Sequence, residues 1–207
     1  MFWRRICWSS SPTAYVPYNE FIAERLGAIS QAERNAVTDA LTGLGNRHWM
    51  QEMFERELDR ERNDPGQLYL LMADVDHFKD INDELGHIAG DQILVAIAET
   101  LRTRLRPTDL IARFGGDEFV VLLPRVSLET ATRTAERIRK DIDGNGDPKL
   151  PVEVTISIGL TAAADADDLD RLLERADGAM YDAKDQGRDR VAIREPDYRS
   201  GPLAIKS

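Results

Sequence analysis

The chain has 207 residues, 42% of them hydrophobic and 31% charged, with a formal net charge of −10. That length suits one soluble globular domain with a short appendage and excludes a second large one. A pI near 4.9 argues against the basic face of a nucleic-acid binder, so an anionic ligand would have to be held by a few local cations or a metal.

Residues 1–19 set Trp3, Trp8, Tyr15 and Tyr18 among Pro12, Pro17 and a serine run, too punctuated for a core. Arg4 and Arg5 are not followed by an apolar stretch, so no signal peptide is predicted, and no apolar run approaches the roughly 20 residues of a transmembrane segment. The single Cys7 excludes an intramolecular disulfide, and the compartment expected by default is cytoplasmic. Ile22, Leu26, Ile29 and Ala36 form a helical stripe over Glu20–Val37, interrupted by Glu33. Two heptads leave a helix packed on its own domain and a dimerisation stalk equally open. The expected divisions are therefore an arm and helix over 1–37, a compact domain over 38–194, and a solvated tail over 195–207 containing Pro196, Gly201 and Pro202.

Inside the domain, Trp49, Met50, Met53, Phe54 and Leu58 predict a helix over Asn46–Arg62, and Gln67–Val75 reads as an apolar strand. Two helices are expected at Lys79–Asp83 and Asp91–Leu105, parted by Gly86–Gly90, with Asp91 suited to cap the second. Leu110–Phe114 and Glu118–Leu123 flank Gly115 and Gly116 as a hairpin. A helix over Ser127–Ile142, a strand over Val152–Leu160, a helix over Leu169–Lys184 stopped by Gly187, and an edge strand Val191–Ile193 complete the order. This is an α+β pattern of helices covering an antiparallel or mixed sheet.

Two carboxylate pairs stand out: Asp74 and Asp76 at the end of a strand, Asp117 and Glu118 in the hairpin turn. Together they can make an oxygen cage for Mg²⁺, which prefers carboxylates, carbonyls and phosphates. Gly115 and Gly116 would let backbone approach a phosphate without a Cβ in the way.

Arg113-Phe-Gly-Gly-Asp-Glu-Phe119 carries a resemblance to a known family. So do Asp39-Ala-Leu-Thr-Gly-Leu-Gly-Asn-Arg47, Asp74-Val-Asp-His-Phe-Lys-Asp-Ile-Asn-Asp83, Gly86-His-Ile-Ala-Gly-Asp91, Thr155-Ile-Ser-Ile-Gly159 and Ala183-Lys-Asp-Gln-Gly-Arg188, in the same order. Over about Thr38–Ile193 the chain resembles the GGDEF-domain diguanylate cyclases, which condense two GTP into cyclic di-GMP as homodimers. The resemblance implies a ferredoxin-like fold akin to the nucleotidyl cyclase and polymerase palm. It implies two Mg²⁺ per site, or Mn²⁺ in their place, held by Asp74, the Val75 carbonyl, Asp117 and Glu118, with Asp117 also the candidate proton acceptor.

By the same resemblance Asn82 and Asp91 would contact guanine, whose N1–H and amine suit a carboxylate as adenine does not. Lys79, Lys184 and Arg188 would contact phosphates, the alternative for Lys184 being to complement a helix C-terminus. Phe78 is expected to pack below the phosphates, and His87 to be a structural hydrogen-bonding residue. Arg106-Pro-Thr-Asp109 stands in the register of the family's RxxD product-inhibition site, with Arg137 as a secondary contact; the alternative is an exposed ion pair at a turn. His48-Trp49 and Asp189 depart from the family pattern. A protein keeping only Arg106 and Asp109 could be a silent cyclic di-GMP receptor; the intact Asp74, Asp117 and Glu118 favour the enzyme.

Overall fold

The computed structural model describes residues 37–63, 67–142, 152–164 and 167–196. The helix expected over 20–37 falls outside these residues except for Val37, as does the tail beyond Pro196. In chain order the elements are α1 (Arg47–Asn63), β1 (Tyr69–Val75), α2 (Phe78–Leu85), α3 (His87–Arg104), β2 (Leu110–Arg113), β3 (Glu118–Leu123), α4 (Leu128–Ile142), β4 (Ile156–Ala162), α5 (Leu169–Asp185) and β5 (Val191–Ile193). The strands form one sheet in the order β2-β3-β1-β4-β5. All neighbours are antiparallel except β4 and β5. The first four strands thus follow the ferredoxin-like pattern, as expected.

Alternation along the strands divides the core in two. Leu71, Ala73, Val121 and Ile158 face α3 and α4 on one side, while Leu70, Met72, Val120 and Leu122 face α1 and α5 on the other. On the second face Gly159 permits the close approach: a Cβ there would lie 2.0 Å from the Ala176 carbonyl oxygen of α5. Helix and strand backbones therefore touch, which fixes the height of α5 over the sheet. Asp168 caps α5 by accepting the Arg171 amide at 2.9 Å, and Gly187, at φ 111°, follows its end.

The outer edge of β2 is covered by the segment before α1. The Gly45 amide donates to the Ile111 carbonyl at 3.2 Å and the Arg113 amide to the Gly45 carbonyl at 2.8 Å. Gly45 is glycine because the buried Trp49 ring leaves a Cβ only 2.1 Å. Trp49, one of the departures from the family pattern, thus packs α1 onto this segment.

Several boundaries correct the sequence reading. α3 starts at His87, four residues before the expected start, so Asp91 lies inside the helix and Gly86 stands at the cap position. α2 runs to Leu85, and β4 runs from Ile156 to Ala162 because pairing with β1 begins at Ile156 opposite Val75. Val154 is buried beside the sheet without joining it. Pro196 is buried, where a solvated tail was expected.

Candidate active site

The end of β1 brings the hairpin and α5 together. Asp74 and Glu118 are directly paired across β1 and β3, and their register puts both on the face covered by α5. Asp117 is fastened one residue away, its carbonyl accepting the Val75 amide at 3.3 Å. From α5, Lys184 places its ammonium 2.8 Å from Asp74 Oδ1. Lys184 is thus the direct partner of a site carboxylate as well as a cation in the last turn of α5.

Asp74 has a carboxyl pKa pushed up to about 6. Burial is the main cause; the hydrogen bond and charge of Lys184 oppose it, and the charges of Asp117 and Glu118 add to it. One ammonium among three interacting carboxylates leaves a deficit of positive charge. As they stand, no three acidic, histidine or cysteine side chains among the described residues close into a metal cage. The donor set is nonetheless that of a hard cation, since carboxylate oxygens repel one another and have one lysine between them.

The hairpin turn is held from behind by Arg113. Its guanidinium donates to the Gly116 carbonyl at 2.7 Å and the Gly115 carbonyl at 3.1 Å, and pairs with Asp39 at 3.1 Å. For Asp39, burial works to raise the pKa, but hydrogen bonds from Thr42 and Arg113 outweigh it and the net shift is downward. The glycines are not demanded by backbone conformation, because neither has a positive φ. Space above Gly116 is open for 4 Å, whereas Glu118 Oε2 lies 2.9 Å from where a Gly115 Cβ would stand.

Asp76 is not part of this carboxylate group, contrary to its appearance as the twin of Asp74. It accepts from Thr155 Oγ1 and Ser157 Oγ, each at 2.7 Å, and from the Asp189 amide at 3.1 Å. It ties the end of β1 to the turn 187–190, where Arg188 and Asp189 both lie in the left-handed region at φ 60° and 45°. Asp189 in turn accepts from Arg139 of α4 at 2.5 Å, an ion pair that an asparagine could not make. Arg188 and Lys79 are exposed, and neither has an ion-pair partner among the described residues.

Phe78 packs against the core at the start of α2. His87 is exposed and makes no hydrogen bond among the described residues, so its expected structural role is not realised. Asp91 is exposed in a groove of about 600 Å³ lined also by Leu41, Ile88, Gln92 and Val95.

At the far end of β2, Asp109 is buried and its carboxylate is engaged by Arg106: the Arg106 amide donates at 2.8 Å and Nη2 at 2.7 Å. Asp109 therefore orients Arg106 and is not an exposed partner. Glu57 and Arg60 line a cavity of about 330 Å³ with Arg106, which only the packing of α1 reveals. Arg137 of α4 donates to the Arg104 carbonyl at 2.5 Å and does not line that cavity.

A five-stranded α+β sheet with carboxylates meeting a Gly-Gly hairpin matches one family throughout. The sequence profile described as "Diguanylate cyclase, GGDEF domain" matches residues 36–190, and the chain belongs to that family. It is 46% identical over 170 residues to the diguanylate cyclase DgcP of Pseudomonas aeruginosa, covering 80% of this chain and 25% of DgcP. It is 40% identical over 179 residues to the diguanylate cyclase DgcM of Escherichia coli K12, covering 82% of this chain and 41% of DgcM. Among solved structures, the coiled coil and GGDEF domain of DgcB from Caulobacter crescentus, in complex with c-di-GMP, superposes with a TM-score of 0.74 at 30% identity, covering 84% of this chain and 93% of that one. The chain thus spans only about a quarter to two fifths of these two curated relatives. No helix among the described residues is long and apolar enough to cross a membrane.

Proposed function

We propose that the chain condenses two molecules of GTP into cyclic di-GMP and two pyrophosphates, each domain of a homodimer presenting one GTP to the other. The observation that carries this reading is the meeting of Asp74, Asp117, Glu118 and Lys184 beside an open glycine turn. One domain offers one nucleotide site, so two must face each other for reciprocal attack. In each half-reaction a 3′-oxygen bonds to the α-phosphorus of the other GTP, the bond from that phosphorus to its bridging oxygen breaks, and pyrophosphate leaves with the electron pair. The hydroxyl proton passes to a hairpin carboxylate, Asp117 or Glu118.

Asp74, the Val75 carbonyl, Asp117 and Glu118 would hold two Mg²⁺, with Mn²⁺ as a substitute. Bound metal supplies charge neutralisation of the triphosphate and a lower pKa for the 3′-hydroxyl. Lys184 has to release Asp74 for this, which frees its ammonium for a phosphate alongside Lys79 and Arg188. Asn82 of α2 and Asp91 of α3 take guanine, with Phe78 and His87 at the starts of the same two helices, and the open space over Gly116 admits the phosphates.

Incubation of the purified chain with GTP and Mg²⁺, with products identified by mass, is expected to yield cyclic di-GMP. A chain that binds cyclic di-GMP and forms none would instead be a silent receptor. Product held at Arg106 beside Asp109 and Arg137 would slow the reaction away from the GTP pocket. Arg106→Ala is then expected to keep the initial rate within about twofold while removing the slowing as product accumulates. A linear wild-type progress curve at tens of micromolar product would leave the buried Asp109 as no more than a structural anchor for Arg106.

A further inference from the structure

Gly90 lies in the first turn of α3 and is buried, at a position where a helix gains nothing from glycine. A Cβ built on it would stand 2.1 Å from Asn82 Oδ1, 3.0 Å from Asn82 Cγ and 3.1 Å from the Phe78 ring. The Asn82 carboxamide therefore rests on bare backbone, in space that any other residue would fill. Asn82 is half-buried, yet its side chain makes no hydrogen bond among the described residues. An amide positioned by packing, with its donors and acceptor facing solvent and not protein, is available to a ligand. Asp91 follows Gly90 directly and lines the groove.

We infer that Gly90 is a positioning residue for base recognition: its missing side chain seats Asn82 against α3 beside Asp91, so that the two meet one edge of guanine together. Any side chain at position 90 displaces Asn82 and relaxes the choice of guanine over adenine. This rests on the reading of Asn82 and Asp91 as base contacts, and its test separates the two.

The test measures binding of 3′-deoxy-GTP and 3′-deoxy-ATP, which lack the attacking hydroxyl, by calorimetry on the full chain with Mg²⁺. Asn82→Ala is expected to weaken the guanosine analogue about tenfold and to leave the adenosine analogue within about twofold. Gly90→Ala should do the same and keep its melting temperature, because the atom it displaces ends a flexible side chain. Adding Gly90→Ala to Asn82→Ala should then change binding less than about twofold, since the Asn82 overlap is gone and only the Phe78 ring, 3.1 Å from the added Cβ, has to shift slightly. A merely structural glycine would instead weaken both nucleotides and persist in the Asn82→Ala background, which overturns the inference. A neutral Gly90→Ala beside a weakened Asn82→Ala also overturns it and leaves the base-contact reading standing. Wild-type binding by Asn82→Ala ends both. If Gly90→Ala does not fold, recovery of the melting temperature in the double variant supports the inference and failure to recover overturns it.

Discussion

Asp74 and Asp76 stand two residues apart at the end of one strand, and their surroundings are opposite. Asp76 has two hydroxyls and an amide on its carboxylate, drawn from β4, the residue before it and the turn 187–190. Asp74 has one lysine, with the charges of Asp117 and Glu118 against it. The first is a satisfied buried acid that holds the fold, and the second is an unbalanced one that the fold tolerates. The proposed chemistry sits where the polar groups have been left unmatched, and the matched neighbour keeps that mismatch in place.

The sharpest way to break this contrast is to remove each side's carboxylate in turn. Asp117→Ala or Asp74→Ala is expected to lower cyclic di-GMP formation about a thousandfold or more while far-ultraviolet circular dichroism stays unchanged. Normal turnover by Asp117→Ala at ordinary Mg²⁺ would end the proposed mechanism. Asp76→Ala should act the other way, on stability first. It strands three donors and the turn they hold, for a loss of about 2 to 4 kcal/mol, read as a lower denaturation midpoint with unchanged m. An Asp76→Ala chain as stable as the wild type would remove the distinction.

The smallest effect concerns pH. A carboxyl raised to about 6 prefers its neutral form in the folded state, so Asp74 favours folding below its ordinary pKa and that contribution is lost as pH rises through about 6. Asp74→Asn should therefore stabilise the metal-free domain at pH 8 by about 1 kcal/mol, discounted for solvent and for the lost Lys184 pair, and should make no difference near pH 4. Thermal melts at the two pH values decide it. Equal shifts at both would mean that the charge of Asp74 is not what costs stability.

Apolar periodicity was enough to read the elements of this sheet and its helices, because strands with one parity per face and helices with one stripe leave that pattern. The carboxylates at Asp74, Asp117 and Glu118 were legible for a related reason: acids clustered at a strand end and a glycine turn are rarely core. Asp76 was misjudged because its partners, Thr155, Ser157 and the Asp189 amide, lie about eighty or more residues away. The Arg113–Asp39 clamp is hidden on the same ground, its members standing 74 positions apart. The sequence puts the start of α3 too late because Asp91 has the chemistry of a side-chain cap, whereas the chain turns at Gly86, φ 82°, without one.

The covered edge of β2 bears on how two such domains can associate. With Gly45 already bonded to Ile111 and Arg113, that strand offers no free ladder at these positions for another chain to extend. Association on that side of the sheet therefore has to run through side-chain surfaces, which separate and re-form readily, and not through a continuous intermolecular sheet, which does not. If the chain acts as the proposed homodimer, an encounter that opens to release product is compatible with the former, whereas a shared sheet would hold the partners together.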